Sequence, residues 1–386
     1  MPIVMDPKQF HRRLESMLDR ASGPGGVKAF AERLMPSLIE EFGPALGITY
    51  AKLYRLRDGA PSHVKSWGGS PAVDKTVAGL FQNASPELPW ADRTDDGTLA
   101  LLPLGEDGWM MALGFDGNHG NIDAPRALAL ASPIAHAVHQ HLRRRELEDL
   151  LEQARAIQMS LLPPTPSFGD FDIAAVSLPA RVVGGDVYDM QLLDQDTLAI
   201  SVADAAGHGL PAALQARDVV TGLRMGAERD LKITRVIERL NRVIHQSGLT
   251  SRFVSLVFGE LELNGTLTYI NAGHPPPLLL TDAGLQELSV GGGLLGPQPD
   301  SFYKRGFAHV DRGAALLLYT DGALEHGMTA GDAFGVERLG QWLTEWREGS
   351  ARDALEDLVT RLRHHGKNAP FEDDVTLVLI RRPRVS

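Results

Sequence analysis

The sequence predicts an α+β protein of two domains joined by a long helix, and three observations support this prediction. The chain has 386 residues, whereas single domains usually run to about 100–200 residues. One block of helix and strand patterns ends near residue 136, and a second block, with strands flanking paired helices, starts near residue 171. No Gly or Pro interrupts the segment between Ala137 and Leu162. We therefore expect an N-terminal domain over 1–136, a helical linker over 137–164 and a C-terminal domain over 165–386.

The composition is that of an ordinary soluble globular protein, with 43% hydrophobic and 23% charged residues. The net charge is −11, and the dense basic clusters are confined to 143–145 and 381–384. Because nucleic-acid binders usually carry a larger basic patch, we expect no nucleic-acid partner. The absence of cysteine excludes disulfides, thiolate metal sites and a cysteine nucleophile.

Neither a membrane span nor a signal peptide is expected. No apolar run approaches the ~18 residues of a spanning helix, and residues 1–6 lack the basic-then-apolar order of a signal peptide. These features predict a cytoplasmic protein without a membrane partner.

The N-terminal domain begins with helical patterns over residues 7–47, broken at the glycine-rich segment 23–26. Strand patterns follow at 48–57, 99–102 and 109–113, and a strong helix pattern starts near Asp123. The domain is thus predicted to be a small α+β domain that ends in a helix.

That helix continues through the linker with an apolar seam. Its members are spaced alternately by three and four residues, as in the core of a short coiled coil: Leu147, Leu150, Ala154, Ile157 and Leu161. Pro163 and Pro164 end the pattern. We expect a homodimer through this seam. The alternative is an amphipathic helix that packs on its own domain.

The C-terminal block alternates strands and paired helices. Strands are predicted at 171–178, 186–193, 197–203, 253–262, 266–271, 276–281, 314–320 and 374–380, and helices at 211–226, 232–247, 335–347 and 351–364. This order favours helices stacked on sheets.

Four acidic motifs lie beside these strands: 183–189 (VGGDVYD), 201–209 (SVADAAGHG), 318–322 (LYTDG) and 371–376 (FEDDVT). Each motif alone has a structural explanation, such as a turn or a helix cap. Together they supply carboxylates without obvious Lys or Arg partners, next to glycines that admit backbone carbonyls. Mg²⁺ and Mn²⁺ prefer such oxygen ligands.

The order of these motifs resembles the SpoIIE/RsbU branch of the PPM (type 2C) phosphatases, bacterial regulators of sigma-factor partner switching. The resemblance covers roughly residues 150–383. It includes the linker segment 154–163 (ARAIQMSLLP), 271–276 (NAGHPP) and 293–296 (GLLG).

The resemblance implies an αββα sandwich with two Mn²⁺ or Mg²⁺ ions at one edge of the sheets. By position, Asp186 would help to hold one ion, Asp204 would bridge both with the Ala205 carbonyl nearby, and Asp321 and Asp373 would hold the other. Asp189 and Asp374 are second choices, or they support the ligands without binding an ion themselves. A water activated by the ions would attack phosphorus in line.

Three further residues have open roles. Arg181, five residues before Asp186, would bind the substrate phosphate in bidentate fashion; the alternative is a solvated arginine. His208 is a candidate general acid, but a loop-stabilising role is favoured. His274 lies in a Pro-rich turn and is expected to be structural.

The N-terminal domain resembles a GAF sensor in architecture and position, with PAS as the second choice. Residues near Trp67 and Trp109 either line a ligand pocket for a small-molecule signal or belong to the core.

The leading functional hypothesis is a phosphoserine/phosphothreonine protein phosphatase that acts on a regulatory partner, an anti-sigma-factor antagonist by resemblance, under control of the sensor. The second is a non-catalytic docking protein, against which the intact aspartates count. A third is another metal enzyme: Gly184, Gly185 and Asp186 weakly resemble nucleotide cyclases, but the other motifs have no place there.

Overall fold

The computed structural model describes residues 6–57, 60–69, 89–94, 97–104, 108–116, 122–227, 232–247, 253–328, 331–346 and 349–384. The chain divides into two compact units, Met1–Asp149 and Leu150–Ser386. Within these described ranges, no helix combines the length and apolarity needed to cross a membrane.

The first unit contains two helices and an antiparallel five-stranded sheet. The helices are α1 (Pro7–Ala21) and α2 (Val27–Leu46); the strands are β1 (Ile48–Arg57), β2 (Ala60–Gly68), β3 (Trp90–Thr94), β4 (Gly97–Pro103) and β5 (Trp109–Asp116). The spatial order is β2-β1-β5-β4-β3. The predicted break between the first two helices is confirmed: the Asp6 side chain caps α1, and Gly26 precedes α2.

The core of this unit lies between the helices and one face of the sheet. Phe30, Leu34 and Leu38 of α2 pack there with Leu53 of β1. Trp109 is buried in the same core and Trp67 packs against it, so the core interpretation of these tryptophans fits the structure. The assignment to the GAF or PAS class stays a prediction.

A single helix, α3 (Ala124–Leu161), runs for 38 residues and passes from the first unit into the second. The Asp123 carboxylate accepts a hydrogen bond from the Arg126 N–H at its start. The helix thus extends without interruption over the predicted linker as far as Leu161.

The second unit is an αββα sandwich, as predicted. Its elements in chain order are β6 (Asp172–Leu178), β7 (Asp186–Leu192), β8 (Thr197–Ala205), α4 (Leu210–Gly226), α5 (Ile233–Gln246), β9 (Val254–Glu262), β10 (Thr266–Ala272), β11 (Leu278–Thr281), β12 (Gly284–Glu287), β13 (Gly291–Gly292), β14 (Gly306–His309), β15 (Ala315–Tyr319), α6 (Asp321–Glu325), α7 (Gly335–Glu345), α8 (Ala351–His365) and β16 (Val375–Arg381).

Two sheets form the middle layers of the sandwich. One has the order β13-β10-β9-β8-β7, with β14 paired to β10, and the other has the order β12-β11-β15-β16-β6. Alternate residues of β7 point to opposite faces. Val187 packs under α4 and α5, whereas Tyr188 and Met190 lie between the sheets. A third cluster joins the second sheet to α7 and α8.

The long periodic elements were predicted, whereas six other elements were missed. Sequence patterns did not predict β2, β3, β12, β13, β14 or α6. These segments have two to nine residues. The apolar alternation of β2 and β12 is weak because most of their side chains are exposed, and β13 and α6 are too short to show a period. The predicted helix end at residue 347 lies outside the described residues.

His274 cross-links the two sheets through a buried polar contact. Its Nδ1 lies 2.6 Å from the Ser255 hydroxyl oxygen and its Nε2 lies 3.0 Å from the Tyr319 carbonyl oxygen. Since a carbonyl only accepts, Nε2 carries the proton and Nδ1 accepts from Ser255. Burial lowers the pKa of His274 to about 4. The residue is therefore a neutral structural group, as expected from the sequence.

We predict that His274 makes the second unit less stable in acid. The pKa of the unfolded histidine is about 6.5, so the stabilisation by the neutral ring is complete above pH 6.5 and is lost as pH falls toward 4. Between pH 7 and pH 5 the free energy of unfolding should fall by about 2 kcal/mol more in the wild type than in His274→Gln, which cannot titrate. Urea unfolding at both pH values measures this; parallel losses in the two proteins would contradict it.

Candidate active site

The antiparallel register of β7 and β8 places two carboxylates side by side. Asp186, the first residue of β7, lies directly opposite Asp204, near the end of β8. Side chains of directly opposite residues project to the same face with Cβ atoms about 4.5–5.5 Å apart. Two like charges at this distance repel each other, so a sheet that keeps them needs a compensating cation or a proton.

The second sheet brings its own carboxylates to the same edge. Asp321 follows β15, and Asp373 and Asp374 precede β16. Because β15 and β16 are antiparallel neighbours, the end of one lies beside the start of the other, and the Thr320 N–H donates to the Thr376 carbonyl. The four aspartates predicted from the motifs are thus brought together at one edge of the sandwich.

Two side chains hold this edge together. The Thr320 hydroxyl donates to Asp186 Oδ2 at 2.6 Å and accepts from the Thr376 N–H at 2.9 Å, which joins the two sheets. The Asp374 carboxylate accepts the Ala180 N–H at 2.8 Å and the Gly185 N–H at 2.7 Å. Asp374 therefore fixes the loop before Asp186, and its relation to a metal ion stays a prediction.

Two positions in that loop must be glycine, because other atoms lie too close to leave room for a Cβ atom. A Cβ on Gly184 would lie 2.2 Å from Asp374 Oδ2, and one on Gly185 would lie 2.5 Å from the Ala205 carbonyl oxygen. Either contact is far inside van der Waals distance. The glycine pair lets the buried Ala205 backbone and the Asp374 carboxylate come next to Asp186.

Three of the aspartates at this edge have raised pKa values and lack a positively charged partner among the described residues. Burial and then the neighbouring Asp204 raise the pKa of Asp186 well above its ordinary value. Burial, followed by Asp321 and Asp373, raises the pKa of Asp204 to about 7. Burial and Asp373 also raise the pKa of Asp321. Across the described ranges, no Lys or Arg forms an ion pair with these aspartates.

The donor set fits hard divalent cations. It consists of carboxylate oxygens and a nearby backbone carbonyl, the ligands that Mg²⁺ and Mn²⁺ prefer. The described residues contain no closed cluster of three or more Asp, Glu or His side chains around one point. The fit therefore rests on the chemistry and the uncompensated charge of the donors.

Asp189 does not join the cluster. Three residues after Asp186, it points to the opposite face of the sheet, and Arg224 of α4 binds its carboxylate with Nη2 at 2.8 Å and Nε at 3.1 Å. The expectation of a carboxylate without a basic partner is wrong for Asp189, because only the tertiary structure brings Arg224 to it.

Arg181 and His208 lie together on exposed loops. Arg181 Nη1 is 3.3 Å from His208 Nδ1, and each loop leads to or from one of the paired aspartates. The contact holds the two loops near each other, which suits the favoured loop role of His208. The guanidinium of Arg181 has further donors available for an anion.

Sequence reasoning missed three contributions. Thr320 stands inside a quoted motif, but its bond to Asp186 depends on sheet packing. Glu325, at the end of α6, is among the charges that raise the pKa of Asp204 and has its own pKa raised, first by burial and then by Asp321. Gln158 of α3 donates to the Gly184 carbonyl at 2.6 Å and accepts the Gly184 N–H at 3.1 Å.

Comparisons with known proteins agree with this geometry. Residues 194–383 match the family model of stage II sporulation protein E (SpoIIE). The phosphoserine phosphatase RsbU of Bacillus subtilis is 29% identical over 257 residues, which cover 64% of this chain and 75% of RsbU. Protein IcfG of Synechocystis is 31% identical over 281 residues, but these cover only 43% of IcfG.

A solved structure supports the fold. The SiaA-PP2C domain of Pseudomonas aeruginosa superposes with a TM-score of 0.55 at 22% identity and covers 62% of this chain and 98% of that domain. The αββα sandwich with aspartates massed at one edge defines the class of PPM phosphatase domains. Within that class, residues 194–383 of the second unit are similar to the SpoIIE-type domain, and the chain is a protein serine/threonine phosphatase. SpoIIE-type phosphatases are metal-dependent.

We predict that Thr320→Val lowers phosphatase activity roughly ten- to hundredfold, because Asp186 loses the donor that orients it. The buried Thr376 N–H also loses its acceptor, which should cost about 1–3 kcal/mol in the free energy of unfolding. Thr320→Ser keeps the hydroxyl and is the matched control. Steady-state kinetics and urea unfolding of the two variants measure both effects; equal activity in Thr320→Val and Thr320→Ser would contradict the orienting role.

Proposed function

We propose that this protein is a two-metal phosphatase that removes phosphate from phosphoserine or phosphothreonine of a regulatory protein. The observation that carries the proposal is the edge at which the register of β7 and β8 pairs Asp186 with Asp204, facing Asp321 and Asp373 from the second sheet. Asp186, Asp204 and the Ala205 carbonyl are proposed to hold one ion, and Asp204, Asp321 and Asp373 the other. Mn²⁺ and Mg²⁺ both suit these donors.

When bound, two such ions supply an activated water and charge stabilisation for in-line attack on phosphorus. The residues of the chain supply position. Thr320 keeps the Asp186 carboxylate in one orientation, and Asp374 fixes the loop that carries Arg181. The Arg181 guanidinium is proposed to bind two phosphate oxygens, and His208 Nδ1, 3.3 Å away, limits the positions that the guanidinium can take.

The proposed substrate is a phosphorylated regulator of the anti-sigma-factor antagonist type. The support is the similarity to RsbU, which is named a phosphoserine phosphatase, over three quarters of that protein. The competing function is a docking protein of the same pathway without catalysis. The paired aspartates favour catalysis, because a docking surface gains nothing from partly buried like charges that destabilise the fold.

We predict that Asp204→Asn and Asp321→Asn abolish phosphatase activity and that Asp373→Asn nearly does so, because each removes a charged ligand. The folded unit should be at least as stable, since each change relieves repulsion between carboxylates. The measurement is hydrolysis of p-nitrophenyl phosphate against Mn²⁺ and Mg²⁺ concentration, with unfolding curves for each variant. Asp196→Asn, an exposed carboxylate in the β7–β8 turn, is the control.

Full activity in chelator-treated buffer would contradict the two-metal site. Near-normal turnover of both Asp204→Asn and Asp321→Asn would contradict the assignment of ligands. Inactive wild-type protein that still binds a phosphorylated partner would favour the docking function instead.

We further propose that the N-terminal unit, through a bound small-molecule signal, controls the phosphatase by way of α3. The Gln158 side chain pairs with both backbone groups of Gly184, two residues before Asp186. The Arg224 guanidinium, which binds Asp189 on β7, also donates to the Leu161 carbonyl at 2.9 Å. The end of the helix is thus hydrogen-bonded to the strand and loop that carry the site, so a shift of α3 changes their position.

The seam of α3 supports a homodimer. Leu147, Leu150 and Ile157 have 57%, 55% and 63% of their surface exposed, so these side chains bury little surface within one chain. A second copy of the helix that packs along this seam removes the apolar surface from water. A signal that favours one arrangement of the two helices then shifts the population of active enzyme.

We predict that Leu150→Glu with Ile157→Glu weakens self-association and changes kcat, because the added charges repel across the seam. Ala156→Glu with Met159→Glu adds the same charge on the other side of α3 and is the matched control. Analytical ultracentrifugation at micromolar concentration and p-nitrophenyl phosphate kinetics measure the two effects. If the wild type is monomeric and the kinetics of the seam variant are unchanged, α3 is only a spacer and the proposed control is contradicted.

A further inference from the structure

The outer edge of the second sheet carries a groove that the phosphatase reaction does not use. The groove has a volume of about 350 Å³. It lies between the edge strand β6 and one face of α8, and its lining includes Ala174, Ala175, Val176, Leu355 and Val359. Consecutive side chains of a strand point to alternate faces of the sheet. Because Ala174, Ala175 and Val176 all line the groove, the groove runs along the edge of the strand and not over one face.

Within the described part of the chain, one side of this edge strand has no partner strand. On one side β6 pairs with β16, and β6 ends the order β12-β11-β15-β16-β6. An edge strand presents unpaired N–H and C=O groups that an extended chain can bond. Addition of a strand to an exposed edge is a recurrent mode of peptide binding, in which the main chain provides affinity and side-chain pockets provide specificity.

The rim of the groove is basic at both ends. Arg352 and Arg363 stand three turns apart on the exposed face of α8, with Glu356 between them. Within the described residues, neither arginine forms an ion pair, whereas Arg361 on the same helix binds Asp357 at 2.8 Å. Two free guanidinium groups beside one carboxylate favour an acidic occupant.

The strand that lines the groove, β6, ends next to the aspartate edge. Leu178, the last residue of β6, pairs with Val375, the residue after Asp374. Ala180 then donates to the Asp374 carboxylate, and Arg181 follows. At about 3.3 Å per residue, the groove at Ala174 lies roughly 13 Å from Leu178. An extended chain in the groove therefore reaches the aspartates after about four to six further residues.

We propose that this groove docks an extended acidic segment of the phosphoprotein substrate, which adds as a strand to β6 and places its phosphoserine at the aspartate edge. The inference rests on the proposed function, because it assigns a docking surface to the same reaction. Arg352 and Arg363 are specificity residues in this proposal. They contact a part of the docked segment that is remote from its phosphate group, and they take no part in the chemistry.

The test uses the full-length protein and synthetic phosphoserine peptides of about 12 residues. In one peptide, alternating Glu and Val begin about five residues after the phosphoserine. In a second peptide, the same acidic part precedes the phosphoserine. In the control peptides, Gln replaces each Glu. At least one acidic peptide should have a KM roughly three- to tenfold lower than its Gln control, in line with partly exposed charge pairs.

The preference should disappear in Arg352→Glu with Arg363→Glu, whereas turnover of p-nitrophenyl phosphate should be unchanged. Arg239→Glu with Arg242→Glu, on the exposed side of α5 in the opposite outer layer, is the matched control and should keep the preference. Thr360→Trp fills the groove without a change of charge and should raise the KM of every peptide that docks. Fluorescence anisotropy of the unphosphorylated acidic peptide measures docking without catalysis.

Equal KM values for acidic and Gln peptides, or the same loss of preference in the α5 control, would overturn the proposal. A change of self-association in Arg352→Glu with Arg363→Glu would assign the groove to a second copy of the chain and would also overturn it. Lack of p-nitrophenyl phosphate hydrolysis in the wild type would instead refute the proposed function, and the anisotropy result would still decide whether the groove binds.

Discussion

The pairing of Asp186 with Asp204 across two antiparallel strands is the constraint on which the rest of the site depends. The register that buries Val187 under the helices and Tyr188 between the sheets also fixes this pair. A slip of one residue would turn every side chain of β7 to the other face. The hydrophobic pattern of the strand therefore forces two carboxylates together, and a bound cation would offset their repulsion.

The structure around the pair limits how the conflict can relax. Thr320 holds one carboxylate oxygen of Asp186, and Asp374 holds the preceding loop through two backbone N–H groups. Gly184 and Gly185 leave no space for a side chain between these groups. The backbone around Asp186 is thereby held in place, while burial and then the neighbouring Asp204 raise the pKa of the Asp186 carboxyl. This is the preorganisation expected of a phosphoryl-transfer site.

The same loop connects the site to more distant parts of its unit. Gln158 bonds to Gly184 from the end of α3, and the edge strand β6 approaches the loop through Leu178 and Ala180. The loop before Asp186 is thus in contact with the end of α3 and with the end of β6. The proposed regulation and the proposed substrate docking would both act through these few backbone positions.

The sequence by itself determined the division into two α+β parts, the long helix that joins them and the identity of the clustered aspartates. Each of these depends on local periodicity or on short motifs, such as the glycines before Asp186 or the unbroken helix before Pro163. Only the tertiary structure decided that β6 lies at an edge of its sheet. It also decided three pairs of partners: Arg224 with Asp189, Thr320 with Asp186, and Gln158 with Gly184. These contacts join residues that are 26 to 134 positions apart, and their formation depends on strand order and sheet packing, which local patterns do not specify.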